Sequence, residues 1–302
     1  MFGRKQGVGR KQRGILIVAT TLLLAGGWSY AAGGTSLKPA GKEKSAAMAG
    51  AAETKVSEEK IADGVTRERW QVMLFGDQLQ DINVLRIHRN DGTYRFVLCG
   101  GTIKRVKTSE MCRNRGAIAG INGGFFQPKT GEVVGYLKID GKTVKNFGRR
   151  GWESKPVENA AIVTDKNGVV RVEPARDDDE YDKDADAYGV LVTGPMLIHQ
   201  GQPIYQPPHP RHPRTAIGTN ADGEVLLVTV DGRQSEAVGV SFAGLQQIMS
   251  RLGCVEAMNM DGGGSTTMWV DKDGGKICNH PSDKQGERAV INQLLLLPAA
   301  KH

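Results

Sequence analysis

The folded part of this 302-residue chain lacks an excess of charge of either sign. The formal net charge is +7, but residues 1–60 hold ten Lys/Arg against four Asp/Glu, and residues 61–302 hold thirty against twenty-nine. A nucleic-acid-binding surface needs basic residues clustered on the folded domain, so this distribution argues against a nucleic-acid partner. No Cys-x-x-Cys spacing occurs among the four cysteines, which makes a structural zinc site a poor fit. No Leu-x-x-Cys motif lies near the leader, so a lipid anchor is disfavoured. Residues 32–60 have almost no large apolar side chain and cannot build a core; they read as a flexible linker.

The basic excess belongs to the leader. Arg4, Lys5, Arg10, Lys11 and Arg13 precede an apolar run from Gly14 to Ala25, and Ser29-Tyr30-Ala31 then supplies small residues suited to cleavage. Residues 1–31 therefore read as a signal peptide or as an N-terminal membrane anchor. No charge occurs from Gly14 through Leu37, so a tilted helix over about residues 14–34 could stay in the bilayer. Both outcomes predict export, to the periplasm or cell envelope. Cys99, Cys112, Cys254 and Cys278 fit an oxidising compartment, and local spacing favours the bridges Cys99–Cys112 and Cys254–Cys278.

Residues 61–302 read as one α+β domain, a strand-rich mixed sheet core with few helices. Val65–Leu74, Ile82–His88 and Tyr94–Leu98 alternate as half-buried strands do. Asp140-Gly141, Asn167-Gly168 and Asp222-Gly223 mark hairpins. The acidic insert Arg176–Tyr188 has seven Asp/Glu and reads as a solvated loop; its calcium-loop likeness lacks the sixth-place glycine and the closing glutamate. The proline-rich stretch Pro203–Pro213 reads as a rigid surface loop, with His209 and His212 structural or lining a ligand. One helix follows, with Ser241 as N-cap and Phe242, Leu245, Ile248, Met249 and Leu252 on one face. Asn292–Leu297 is apolar on both faces and should be a central strand.

That helix delivers the chain into Ala257-Met258-Asn259-Met260-Asp261-Gly262-Gly263-Gly264-Ser265-Thr266-Thr267-Met268. Three glycines within strand-like sequence fit a sharp turn or close approach to a ligand, with amides able to hold an anion. Polar residues collect at other strand ends too: Asn122, Arg214, Asp231, Arg233, Asn259, Asp261, Ser265, Glu287 and Arg288. If those ends converge, arginine forks and glycine amides make an anion-binding cleft with carboxylates beside it. Turn residues and surface ion pairs would give the same pattern.

Six segments, in order, resemble the phosphodiester glycosidase domain family. They are Ile121–Phe126, Gly194–Leu197, Pro213–Gly218, Val230–Arg233, Leu252–Met268 and Glu287–Val290. The resemblance covers roughly residues 95–298, with Thr193-Gly194 where the family often has two glycines before the proline. It implies hydrolysis of a sugar-1-phosphate diester on the sugar side, releasing free sugar. On this reading Arg214 and Arg233 hold the phosphodiester, with Arg288, Asn259 and Ser265 nearby. The amides of Asn122, Gly123 and Gly124 and of Gly262, Gly263 and Gly264 add donors. Asp261, Asp231 and Glu287 are the carboxylates that could activate water or stabilise the sugar cation, and a divalent cation at Asp261 stays an option. The expected partner is a sugar-phosphate diester or phosphate-containing glycan, with the membrane engaged through an uncleaved leader. A non-catalytic glycan-binding protein and a metal-dependent phosphoesterase are the competing classes.

Overall fold

The computed structural model describes residues 53–74, 78–88, 90–101, 104–148 and 157–299. The leader and most of the expected linker lie outside them. Among the described residues no helix is long and apolar enough to cross a membrane.

Strands dominate, as the alternation predicts, and every pairing between them is antiparallel, so the expected mixed sheet resolves into antiparallel ones. The largest sheet runs Glu53–Ala62, Val65–Leu74, Gln78–Ile87, Val225–Val230, Arg214–Asn220, Cys254–Asn259, Met196–His199 and Gln202–Pro203. A second sheet of five has the order Lys276–Ile277, Met268–Val270, Ala119–Asn122, Asn292–Pro298 and Tyr94–Gly100. The third has the order Val170–Pro174, Ala160–Thr164, Gly189–Thr193, Leu137–Ile139 and Lys142–Lys145.

One core lies where the three sheets meet. It takes Leu85, Ile217, Leu227 and Met258 from the first, Phe96, Ile121, Leu294 and Leu296 from the second, and Ile162 and Leu191 from the third. The opposite faces are covered by helices. Phe242–Arg251 packs Phe242, Leu245, Ile248 and Met249 against Val84, Ala216, Leu226 and Val228 of the large sheet. The Ser241 hydroxyl caps it by accepting from the Gly244 amide at 3.2 Å. On the second sheet, Thr108–Arg115 contributes Cys112 to a cluster with Trp269 and Leu295. This two-sided cover explains why Val225–Val230 and the first five residues of Asn292–Pro298 are buried throughout. Asn292–Pro298 is internal to its sheet, as its apolar faces require.

Three expectations change. Strand Glu53–Ala62 takes residues 53–60 from the expected linker into the fold, pairing with Val65–Leu74 through Glu59↔Arg67 and neighbouring positions. Cross-strand ion pairs hold it, Arg67 to Glu59 at 2.9 Å and Lys55 to Glu68 at 3.1 Å. The acidic insert forms the short helix Asp178–Lys183, and its calcium-loop carboxylates are engaged otherwise. Asp182 accepts from the Tyr136 hydroxyl at 2.6 Å, and Asp184 pairs with Arg176 at 2.9 Å. Third, all four cysteines are free thiols. Cys254 belongs to the cluster under the helix Phe242–Arg251, whereas Cys278 packs against the shared core, so the bridge expected across the glycine stretch does not form. Cys99 and Cys112 share one buried cluster without a bond.

Candidate functional site

The glycine stretch is the corner at which the chain leaves one sheet for another. Strand Cys254–Asn259 ends in the large sheet with Asn259 opposite Ala216, and the next strand, Met268–Val270, pairs with Ala119–Asn122 in the second sheet. Between them, the Met260 amide donates to the Thr215 carbonyl at 2.8 Å and the Asp261 amide to the Gly123 carbonyl at 3.0 Å. Successive amides thus bond to different sheets, and the main chain turns through a 3₁₀ step at Gly263–Ser265. Glycine is required here for two separable reasons. Gly263 sits at φ +61°, which side chains other than glycine adopt at a cost. A Cβ on Gly262 would lie 2.7 Å from the Pro213 carbonyl oxygen, and one on Gly264 would overlap the Asp283 and Arg288 side chains.

Asn122 fastens the corner. It is fully buried; its amide donates to the Asp261 carbonyl at 2.7 Å, and its oxygen accepts from Thr215 Oγ1 at 2.8 Å and the Thr267 amide at 3.0 Å. Asn259, also buried, donates to the Gly194 carbonyl at 2.6 Å. Both are buried supports behind the corner and stand outside the lining of the cleft. The Gly123 and Gly124 amides are likewise engaged, donating to the Asn292 carbonyl at 2.9 Å and to Asn292 Oδ1 at 2.7 Å. Gly262 donates to its neighbour Asp261 at 2.9 Å and Gly263 to the Pro213 carbonyl at 2.9 Å. The expected nest of anion-binding amides is therefore largely satisfied within the protein.

In front of the corner is a cleft of about 300 Å³. Its lining joins Arg214, Arg233, Asp261, Arg288 and the three glycines to Phe125, Val157, His209, His212 and Phe242. Arg214 reaches it from the first residue of its strand. Its Nε donates to the Val240 carbonyl at 3.0 Å, and its guanidinium lies 4.3 Å from the Phe242 ring. Burial and the neighbouring Arg233 lower its pKa to about 10, so it stays cationic at neutral pH. Arg233 follows Asp231-Gly232 in a left-handed conformation, φ +62°, a strained position that holds its guanidinium beside Gly263. Arg288 is fixed by a two-point pair with Asp283, at 2.8 and 3.0 Å.

Among the described residues that line the cleft, Asp261 is the one carboxylate. Burial raises its pKa to about 6, against the opposing pull of Ser265, the Gly262 amide, Arg288 and Arg214. The Ser265 hydroxyl lies between Asp261 and Arg288, whose Nη1 is 3.4 Å away.

The two other carboxylates expected at the site stand elsewhere. Asp231 is buried behind the Arg233 turn, where its oxygens accept from the His280 amide at 3.0 and 3.1 Å. Burial again raises its pKa to about 6. Its carboxylate pins the segment that carries Asp283. Glu287 accepts from the amide of Ser109 at 2.8 Å and from its hydroxyl, anchoring the start of the helix Thr108–Arg115. Neighbours in sequence, the two diverge: Arg288 enters the cleft beside Asp283, and Glu287 turns away to Ser109. Phe125, in the motif Ile121–Phe126, lines the cleft as expected; the residues that motif reasoning passed over are Val157, Phe242 and Asp283. Only Phe242, next to the N-cap, carried a local signal.

Among the described residues no group of three His, Cys, Asp or Glu converges to hold a metal ion. With three guanidiniums around a single carboxylate, the cleft is arranged for an anion, and the cation option at Asp261 finds no ligand set.

The phosphodiester glycosidase family model matches residues 115–297. A prophage-derived protein of Bacillus subtilis is 29% identical over 206 residues, covering 65% of this chain and 30% of its own length. The N-acetylglucosamine-1-phosphodiester alpha-N-acetylglucosaminidase of Bos taurus is 25% identical over 198 residues, 60% of this chain and 36% of that one. The chain thus spans about a third of the length of these curated relatives. Among solved structures, the zebrafish catalytic domain of the same name, auto-inhibited by its pro-peptide, superposes with a TM-score of 0.64 at 19% identity, covering 81% of this chain and 87% of that one. A Synechocystis protein superposes at 0.60 with 16% identity, over 78% and 62%. The matched residues include the sheet-crossing corner, Arg214, Arg233 and Arg288, and the chain belongs to the phosphodiester glycosidase family.

Proposed function

We propose that this protein is an exported hydrolase that cleaves a sugar-1-phosphodiester on the sugar side, in the cell envelope or outside the cell. The observation that carries the proposal is Asp261, a single carboxylate with raised pKa held among Arg214, Arg233 and Arg288 in one cleft. The names of the mammalian relatives support the bond and the sugar class, and the basic-apolar leader supports export.

The chemistry follows from the leaving group. In the sugar-side reaction the C1–O bond breaks and its electron pair stays on the phosphate oxygen. The product phosphomonoester has a second pKa of about 6, so it departs without a general acid. The guanidiniums stabilise the charge that grows on phosphate. Water supplies the new C1–O bond, and ionised Asp261 takes its proton or steadies the positive charge at C1. A second catalytic carboxylate, needed to protonate an alcohol in ordinary glycoside hydrolysis, has no task here.

Incubation of the full chain with a GlcNAc-1-phosphodiester, followed by product identification, tests this. Free GlcNAc and a phosphomonoester are expected from wild type, and neither from Asp261→Asn. GlcNAc-1-phosphate as product would instead establish a phosphorus-side esterase. Binding of the diester without turnover would establish a binding protein.

A further inference from the structure

We infer that His212 is a substrate-recognition residue, presenting Nε2–H to a phosphate oxygen, and that Arg233 fixes the imidazole in that tautomer. This rests on the phosphodiester reading of the cleft given above.

His212 comes from the proline-rich loop, yet its backbone is held like a strand. Its amide donates to the Val240 carbonyl at 3.2 Å, and the Val240 amide returns the bond at 3.1 Å. The ring is therefore delivered to the cleft from a fixed position, between Arg233 and the ring of His209, whose centroid is 6.3 Å away. Nδ1 lies 3.2 Å from Arg233 Nη2. A guanidinium only donates, so Nδ1 must accept, and the proton of the neutral ring sits on Nε2.

Three groups face this imidazole: Arg233, Arg214 and His209. Partial burial first, and then these three groups, disfavour a positive ring, so the pKa of His212 lies below the usual histidine value. The ring is thus a neutral donor at pH 7. His209 makes a similar contact, with Nδ1 2.9 Å from Arg214 Nη2 and 3.3 Å from the Pro210 carbonyl. Arg214 and Arg233 therefore each contact an imidazole as well, and the cleft gains a donor that adds no charge.

The two imidazole nitrogens can be separated by substitution. Gln places its amide near Nε2 and keeps a donor for the ligand. Asn places its oxygen near Nδ1 and keeps the partner for Arg233. The recognition role requires that His212→Gln bind inorganic phosphate, and hydrolyse the diester with a KM, within about threefold of wild type. His212→Asn should lose about tenfold in both, with kcat changed less, as expected for one lost hydrogen bond to an anion. The reverse order would show that the histidine merely supports Arg233 and would overturn the inference. Side-chain ¹⁵N spectra of the full chain give an independent readout. A neutral Nε2–H ring that shifts on phosphate addition is expected; an Nδ1–H or doubly protonated ring at pH 7 would overturn the assignment. If wild type hydrolysed no diester, the proposed activity would fail, while phosphate binding and the spectra would still decide the role of His212.

Discussion

Replacing Gly264 by Ala tests whether the glycine corner is a steric requirement of the arginine cleft. Gly264 does not sit at positive φ, so Ala meets no backbone penalty, and the loss of unfolded-chain entropy would by itself stabilise by about 0.4–1 kcal/mol. Against this, the new methyl overlaps Asp283 Oδ1 and Arg288 Nη2, which are locked to each other by two charge-assisted bonds. Overpacking of this kind costs about 1–3 kcal/mol. Both side chains are about one-third exposed or slightly less, which lets them swing away and favours the lower half of that range. The net expectation is a loss of about 1 kcal/mol, or about 2–4 °C in Tm for a domain of this size. The kinetic effect should be larger than the thermal one, because the least costly relief is to move Arg288 out of the cleft. Losing one charged contact to phosphate costs about 1.5–3 kcal/mol, roughly ten- to hundredfold in kcat/KM. The assay is a double-mutant cycle of Gly264→Ala with Asp283→Ala, read by Tm and by kcat/KM on the diester. Once Asp283 no longer pins Arg288, the alanine should cost little more, giving strong non-additivity. Additive effects, or a Gly264→Ala variant with wild-type kinetics, would refute the steric account.

Four other outcomes follow from the same geometry. The raised pKa of Asp261 means that its carboxylate charges only near pH 6, so kcat/KM should climb from pH 5 and level above about pH 7; a flat profile across that interval would remove Asp261 from the chemistry. In stability the sign is opposite. A pKa raised in the folded state gives a contribution lost as pH climbs from the unfolded value near 4 to about 6, so thermal melts of wild type and Asp261→Asn should converge toward low pH. Glu287→Ala should lower Tm by about 2–6 °C, because Ser109 loses acceptors for its buried amide and hydroxyl, and should leave kcat within a few fold; a collapse of kcat at unchanged Tm would return Glu287 to the chemistry. Burial raises the pKa of all four cysteine thiols, so each should resist alkylation in the native state and all four should label on unfolding, with no change of Tm under reductant; a mass count of fewer than four labels after unreduced unfolding would reveal a bridge.

The strands and the helix were legible because their signals are local. Val65–Leu74 alternates at both ends, Ser241 precedes an apolar face of helical period, and Asn292–Leu297 is apolar on both sides. Asp261 was legible for a related reason, since three glycines directly after a carboxylate mark a place where the main chain must turn or meet a ligand. Residues 53–60 were not. Glu and Lys there look like tether, and only the register Glu59↔Arg67 with its neighbours turns them into a strand. The site divides along the same line. Sequence brings Asp231 next to Gly232-Arg233 and Glu287 next to Arg288, but which way each points depends on partners far away in the chain. His280 claims the first and Ser109 the second. The Gly123 and Gly124 amides are likewise taken by Asn292, a residue with no motif to mark it.

The cleft owes its precision to its place in the fold. A strand covered on both faces buries its side chains in the core, so functional side chains leave from strand ends, where loops are usually loose. Here the end of Cys254–Asn259 is not loose. The next residues bond alternately to Thr215 in one sheet and Gly123 in the other, and Asn122 ties both sheets to the Asp261 carbonyl. The carboxylate is fixed by its own main chain, and the arginines arrive on rigid neighbours: Arg214 from a paired strand, Arg233 from a strained turn, Arg288 from its lock with Asp283. Such preorganisation matters most when one carboxylate must serve alone. In the reaction we propose, a phosphate leaving group makes that sufficient, because the three guanidiniums would meet the charge that a second carboxylic acid would otherwise neutralise with a proton.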